Sequence, residues 1–200
     1  MKKLKINSNI VSQPIVESQQ TTVNNFKRLL AYVIDWYVAS MLAGIPIVLT
    51  YSIFFKNLTI TQELSQLPVP YCYIVGIISI LVYLAYFIVI PMKMYHGQTF
   101  GKRIMDIKIV KDDGSDVDWM TLFKREVIGV MLVEGYIAAS SSFLHQMICL
   151  FVGHNLNQFF VYGYGIITVL SIVCACASPK RKMFHDMIAK TQLVIYKESV

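Results

Sequence analysis

Residues 29–55 read LLAYVIDWYVASMLAGIPIVLTYSIFF, 27 positions with one charged side chain, Asp35. A bilayer core of about 30 Å is crossed by about 20 helical residues, so this stretch is long and apolar enough to span it. Residues 71–92, 127–152 and 158–178 have the same character, with Glu134 as their one charged side chain. A single window of this kind could be the buried helix of a water-soluble protein. Four of them in 200 residues leave too little polar chain to cover them. Composition agrees: 56% hydrophobic residues, 15% charged residues and a mean hydropathy of +0.55 exclude an ordinary soluble domain, which carries about 25% charge. The expected fold class is an all-α transmembrane bundle of four spans.

Basic residues fall almost wholly on one side of such a bundle. Five precede residue 29, seven lie in residues 93–126 and five follow residue 178, while Lys56 alone falls opposite. Lys and Arg are enriched in short cytoplasmic segments, so both termini are expected in the cytoplasm of a multi-pass cell-membrane protein. An odd number of spans would spoil the pattern. The weakest window is 127–152, where Ser140, Ser141, Ser142 and His145 interrupt the apolar run, and a re-entrant segment is the alternative there. Residues 1–25 show no helical periodicity and read as a flexible basic tail, leaving 26–197 as the transmembrane domain. The expected partners are the lipid bilayer and, at the basic segments, anionic headgroups; nucleic acid is not expected.

Between the second and third windows the chain changes character. Gly97-Gln98-Thr99-Phe100-Gly101-Lys102 lacks the spacing and following hydroxyl of a phosphate loop, so its glycines read as a tight turn. Ile107-Lys108-Ile109-Val110-Lys111 alternates like a strand, and Asp112-Asp113-Gly114-Ser115 supplies turn chemistry for a short hairpin. Residues 191–197 form a second β-like run able to pair with the first, with Ile107, Ile109, Leu193 and Ile195 on the apolar face. A short amphipathic helix over residues 182–190 would lie just before it.

Ionisable groups inside a span cost roughly 2.5–3.5 kcal/mol on insertion scales, so each calls for a partner or a purpose. Asp35 follows Arg28 by seven residues and shares its helix face, but side chains lean toward the helix start and direct contact is marginal. A charge cluster of Arg28, Asp35 and Asp186 at the cytoplasmic mouth is the leading candidate site. Glu134, Ser141 and His145 form a second candidate, a polar stripe at helical spacing that would face protein. Ala39-x-x-x-Ala43 and Ser40-x-x-x-Gly44 offer close-packing surfaces for a second copy. Phe26-Lys27-Arg28 and Phe123-Lys124-Arg125 both precede spans and hint at a duplicated two-helix unit. Cys174 and Cys176 point to different helix faces, so no metal site is expected, and no cofactor signature is present.

Several of these features together resemble the RDD family of bacterial membrane proteins. They are Arg28 and Asp35 in the first span, Gly97-x-Thr99-x-Gly101-Lys102, the Ile107-Lys108-Ile109-Val110 strand with Gly114, Arg125, and the closing run from Pro179 through His185-Asp186 to Thr191. The resemblance extends over residues 26–196 and implies a fold and topology more than an activity, with transport suggested for some members. It also implies that Arg28, Asp35 and Asp186 are the arginine and two aspartates that name the family.

Enzyme activity is not expected, because no zinc-protease motif and no nucleophile with an oxyanion donor can be named. The expected role is a non-catalytic membrane subunit or assembly partner. The alternative is an oligomeric cation, proton or small-solute transporter using Asp35 and Glu134.

Overall fold

In the computed structural model, residues 23–56, 61–179 and 181–196 are described; of the tail expected over residues 1–25, all but the last three lie outside them. The elements are α1 (Asn25–Phe55), α2 (Tyr71–Lys93), α3 (Phe100–Ile104), β1 (Ile107–Lys111), α4 (Trp119–Phe123), a π-helical segment (Lys124–Val133), α5 (Ala139–Val152), α6 (Asn157–Ala177), α7 (Phe184–Ala189) and β2 (Thr191–Ile195).

Asn24 starts α1 by accepting the Phe26 amide on its side chain. From Ala31 every fourth residue, Asp35, Ala39, Ala43 and Ile47, is buried on one face. Against that face packs α2, through Val75, Tyr83, Tyr86 and Phe87. Ala39 and Ala43, expected to meet a second copy, are fully buried within the chain's own core. Residues 61–70 fold back over the far end of the bundle, where Leu64 is buried and its amide donates to Gln146 Oε1 at 2.8 Å.

Among the described residues three helices, α1, α2 and α6, are long and apolar enough to cross a membrane. The third expected span is not one helix. It divides into the π-helical segment, a break at residues 134–138, and α5, whose 14 residues rise only about 21 Å. The cause is local. Glu134 ends the π turn with its amide on Gly129 O at 2.9 Å, and Gly135 lies so close to Ser141 that no side chain would fit. The break exposes backbone carbonyls that neighbouring helices satisfy: Thr168 Oγ1 donates to Glu134 O at 3.0 Å and Trp36 Nε1 to Ile137 O at 2.9 Å.

A small sheet completes the fold. β1 and β2 pair antiparallel with Ile107 opposite Ile195 and Ile109 opposite Leu193, while the expected hairpin is reduced to one bridge from Val110 to Asp116. Ile107 and Ile109 are buried, but Ile195 is 47% exposed and does not fill the apolar face expected of it. Ile107 is covered by Val23, Ala31, Met105 and Leu193, a cluster that does not include Ile195, its partner across the ladder at the end of β2. The helix expected over residues 182–190 is the shorter α7, beginning after Met183.

The order long helix, long helix, short helix, strand occurs twice, with the broken third segment standing where α1 stands in the first unit. The correspondence reaches individual residues. Asp106 (φ 54) and Lys190 (φ 53) occupy left-handed positions immediately before the strands, and Gly97 (φ 92) and Arg181 (φ 48) occupy left-handed positions nine residues earlier. Central Ile109 faces its counterpart Leu193, and the pairs on either side are exchanged, Ile107 with Ile195 and Lys111 with Thr191, as a two-fold axis through the centre of the sheet requires.

Candidate functional site

Asp35 is fully buried, and four donors converge on it. Tyr86 Oη lies 2.7 Å and Gly101 N 2.7 Å from Oδ1, while Lys102 Nζ lies 3.1 Å from Oδ2, which also accepts from Thr99 Oγ1. The donors come from α2 and from the residues that open α3. Gly101 permits this approach, because a Cβ there would sit 3.0 Å from the Asp35 carboxyl and collide with Ala31 O. The stretch read as a simple turn therefore carries Asp35's counter-charge.

Asp186 on α7 lies in a second cluster. Arg28 Nη2 is 2.8 Å from Oδ2 and Arg125 Nη2 is 2.9 Å from Oδ1, so one carboxylate is clamped between guanidiniums from α1 and the π-helical segment. Arg28 also donates to Arg181 O, and Asp186 Oδ2 accepts the Met183 amide at 3.2 Å, closing the first turn of α7. Burial pushes the Asp186 carboxyl up, but the charges of His185, Arg125 and Arg28 outweigh it and hold the group well below the usual carboxylate range. Glu126 completes the cluster, 3.5 Å from Arg125 Nη1.

Glu134 faces α6 and α7. Ser171 Oγ donates to Oε1 at 2.6 Å, the His185 amide donates to Oε1 at 2.8 Å, and His185 Nδ1 lies 2.8 Å from Oε2. The roles repeat those at Asp35: a short-helix backbone amide (Gly101 or His185), a hydroxyl from the second long helix (Tyr86 or Ser171), and a side-chain nitrogen from the short helix.

The expected trio of Arg28, Asp35 and Asp186 is thus divided. Arg28 and Asp186 meet, while Asp35 belongs with Lys102, because α3 reaches its depth and supplies a cation directly. The expected stripe is divided as well, since the break after Glu134 removes it from the helix carrying Ser141 and His145. Those two lie 3.2 Å apart, and the His145 ring stacks on Phe160 with centroids 4.3 Å apart. Lys102, Arg125 and His185 were not singled out as site residues. The repeated Phe-Lys-Arg triplet was the available signal for Arg125.

A family model described as "RDD family" matches residues 22–190, most of the chain. The chain belongs to the RDD family. An uncharacterised protein of Bacillus subtilis (strain 168), YckC, is 33% identical over 111 residues, 56% of this chain and 55% of that protein, so the match spans about half of the relative's length. No solved structure matches.

In this RDD protein the two clusters perform one kind of work. Asp35 binds α3 to α1 and α2, while Glu134 and Asp186 bind α7 to α1, α6 and the π-helical segment. The strands that follow α3 and α7 then pair, so the carboxylates position the layer formed by the short helices and the sheet.

Proposed function

We propose that the protein is a non-catalytic membrane subunit or assembly partner, in which buried carboxylates anchor a surface layer of short helices and sheet to a lipid-embedded bundle. The observation that carries this reading is the engagement of both intramembrane carboxylates. Asp35 and Glu134 each accept bonds from a backbone amide, a hydroxyl and a side-chain nitrogen of the chain itself. Carboxylates filled in this way act as fixed anchors, and a solute would have to displace several charge-assisted bonds to reach them.

In this reading the third segment crosses the membrane as a broken helix, giving four crossings with both termini cytoplasmic and residues 56–70 and 153–157 outside. Cysteine labelling in intact cells tests the topology: with native cysteines replaced, Ser65→Cys reacts with an impermeant reagent and Ser115→Cys does not. Lipid covers the exposed apolar side chains of α1, α2 and α6.

The repeated architecture and the broken helix favour a second reading, oligomeric transport of a cation, proton or small solute, because transporters are often built from repeats with discontinuous helices. Reconstitution distinguishes the two. The anchoring reading expects sodium, potassium and proton fluxes in proteoliposomes no greater than in protein-free vesicles. Flux above that level which Asp35→Asn abolishes would overturn it.

A further inference from the structure

Arg125 is buried against Asp186, and Lys124, its neighbour in the chain, is exposed. Consecutive helical residues point to different faces, so turning the guanidinium inward sends the lysine outward. The same ion pair holds α7 beside the π-helical segment. At its end Lys190 is fixed in turn, its carbonyl accepting the Asp112 amide at 3.0 Å. A cleft of about 460 Å³ opens there, lined by Lys124, by Ile188 and Lys190, and by Lys111, Asp112 and Asp113 at the end of β1. That volume is within the usual range for small-molecule sites.

Charges around the cleft are unevenly matched. Lys111 pairs with Asp118 at 2.7 Å, Lys182 pairs with Asp112, and Asp113 accepts from the Ser115 amide and hydroxyl at 2.9 and 2.6 Å. Lys124 and Lys190 have no ion-pair partner among the described residues. Four lysines therefore stand against three aspartates, which leaves one net positive charge. A phosphodiester carries one negative charge and would balance it. The surroundings are apolar: Ile188 in the cleft and Trp119, Met120 and Phe123 of α4 beside it are all exposed. Exposed apolar side chains next to lysines, with a Trp among them, suit the boundary between headgroups and acyl chains.

We propose that this cleft binds the phosphodiester headgroup of an anionic phospholipid, with Lys124 and Lys190 directed at the phosphate and Ile188 against the glycerol end of the acyl chains. The proposal rests on the reading that the short helices and the sheet lie at the membrane surface. One lipid held in this way touches both the third segment and α7. It adds a second tie across the join that Asp186 already makes.

Native mass spectrometry of the full chain in detergent, titrated with phosphatidylglycerol or with phosphatidylcholine of the same acyl chains, tests the proposal. Phosphatidylglycerol should occupy one tight site per chain, and phosphatidylcholine, whose choline cancels the phosphate charge, should not. Lys124→Gln combined with Lys190→Gln should weaken the tight site by about tenfold or more, because each lysine near an anionic headgroup is worth a factor of about five. Lys27→Gln combined with Lys93→Gln removes the same charge elsewhere and should leave that site unchanged. Neither pair should alter melting in lipid-free detergent, since the four side chains have no ion pair to lose among the described residues. Equal binding of the two lipids, or equal losses in the two double variants, overturns the site. Displacement of the lipid by an equimolar soluble glycerophosphodiester overturns the lipid as its occupant. Labelling at Ser115→Cys tests the topology separately, so a missing tight site with Ser115→Cys protected overturns this proposal alone.

Discussion

Arg28 and Asp186 are 158 positions apart in the chain and 2.8 Å apart in space, an ion pair whose side chains are 12% and 1% exposed. It joins the start of the first spanning helix to the last short helix, with Arg125 on the carboxylate's other side.

A pair this buried is more sensitive to the loss of one partner than to the loss of both. Removing one member typically costs about 3–5 kcal/mol, because the remaining charge stays in a poor solvent. Arg28→Ala is therefore expected to lower thermal stability in detergent more than Arg28→Leu combined with Asp186→Leu. Arg125 retains some compensation for Asp186 and places Arg28→Ala toward the lower end of that range. A double-mutant cycle checks it, and a coupling of zero would mean that the two charges act independently.

Acid should act on the same carboxylate. Its folded-state value is depressed relative to the unfolded chain, so its contribution is present above the ordinary aspartate value and is lost as pH falls toward the folded value. The stability difference between the protein and Asp186→Asn is expected to shrink as pH falls below about 4. Melting curves of both proteins from neutral to acidic pH measure it.

Gly129 gives a steric test of α7 docking. A Cβ there would lie 2.6 Å from His185 Cβ and 2.7 Å from His185 Cα, both held by the backbone of α7. Gly129→Ala should cost about 1–3 kcal/mol through overpacking and should raise amide exchange in α7 and β2 before it disturbs α1 or α2. Uniform exchange changes across all helices would contradict a local docking role.

The strand pairing can be broken from one side. Ile109→Pro removes the donor of the bond from the Ile109 amide to Gly97 O at 2.8 Å and forces a ring into the centre of β1, where the residue faces Leu193. Protection from exchange at Leu193, Val194 and Ile195 should fall together with that of β1. Survival of protection in β2 would show that it is held by something other than this pairing.

The sequence disclosed what depends on local pattern. Residues 29–55 and 71–92 are uninterrupted enough for their hydropathy to predict α1 and α2, and alternation at Ile107 and Ile109 predicts a strand. What it concealed depends on backbone paths. Lys102 is one lysine in a basic loop until α3 carries it to Asp35, and seven residues of helical spacing pointed Asp35 toward Arg28 instead. Hydropathy counts Val127 to Val152 as one run because a π turn and a break leave composition unchanged. The break becomes visible only where Glu134 turns toward Ser171 and His185. Ile195 fits the alternation yet is exposed, because periodicity assigns a face but not the length of the surface that covers it.

The most direct measurement of the anchoring role is residue-level amide exchange of the full chain in nanodiscs, compared between the unmodified protein and Asp35→Ala. Hydrogen bonds to charged groups contribute about 1.5–3 kcal/mol, so losing the acceptor of Gly101 N and Lys102 Nζ should speed exchange at Gly101 and through α3 by about tenfold or more. The spanning parts of α1 and α2 should stay protected. Unchanged protection at Gly101 would contradict the claim that Asp35 anchors this layer to the bundle.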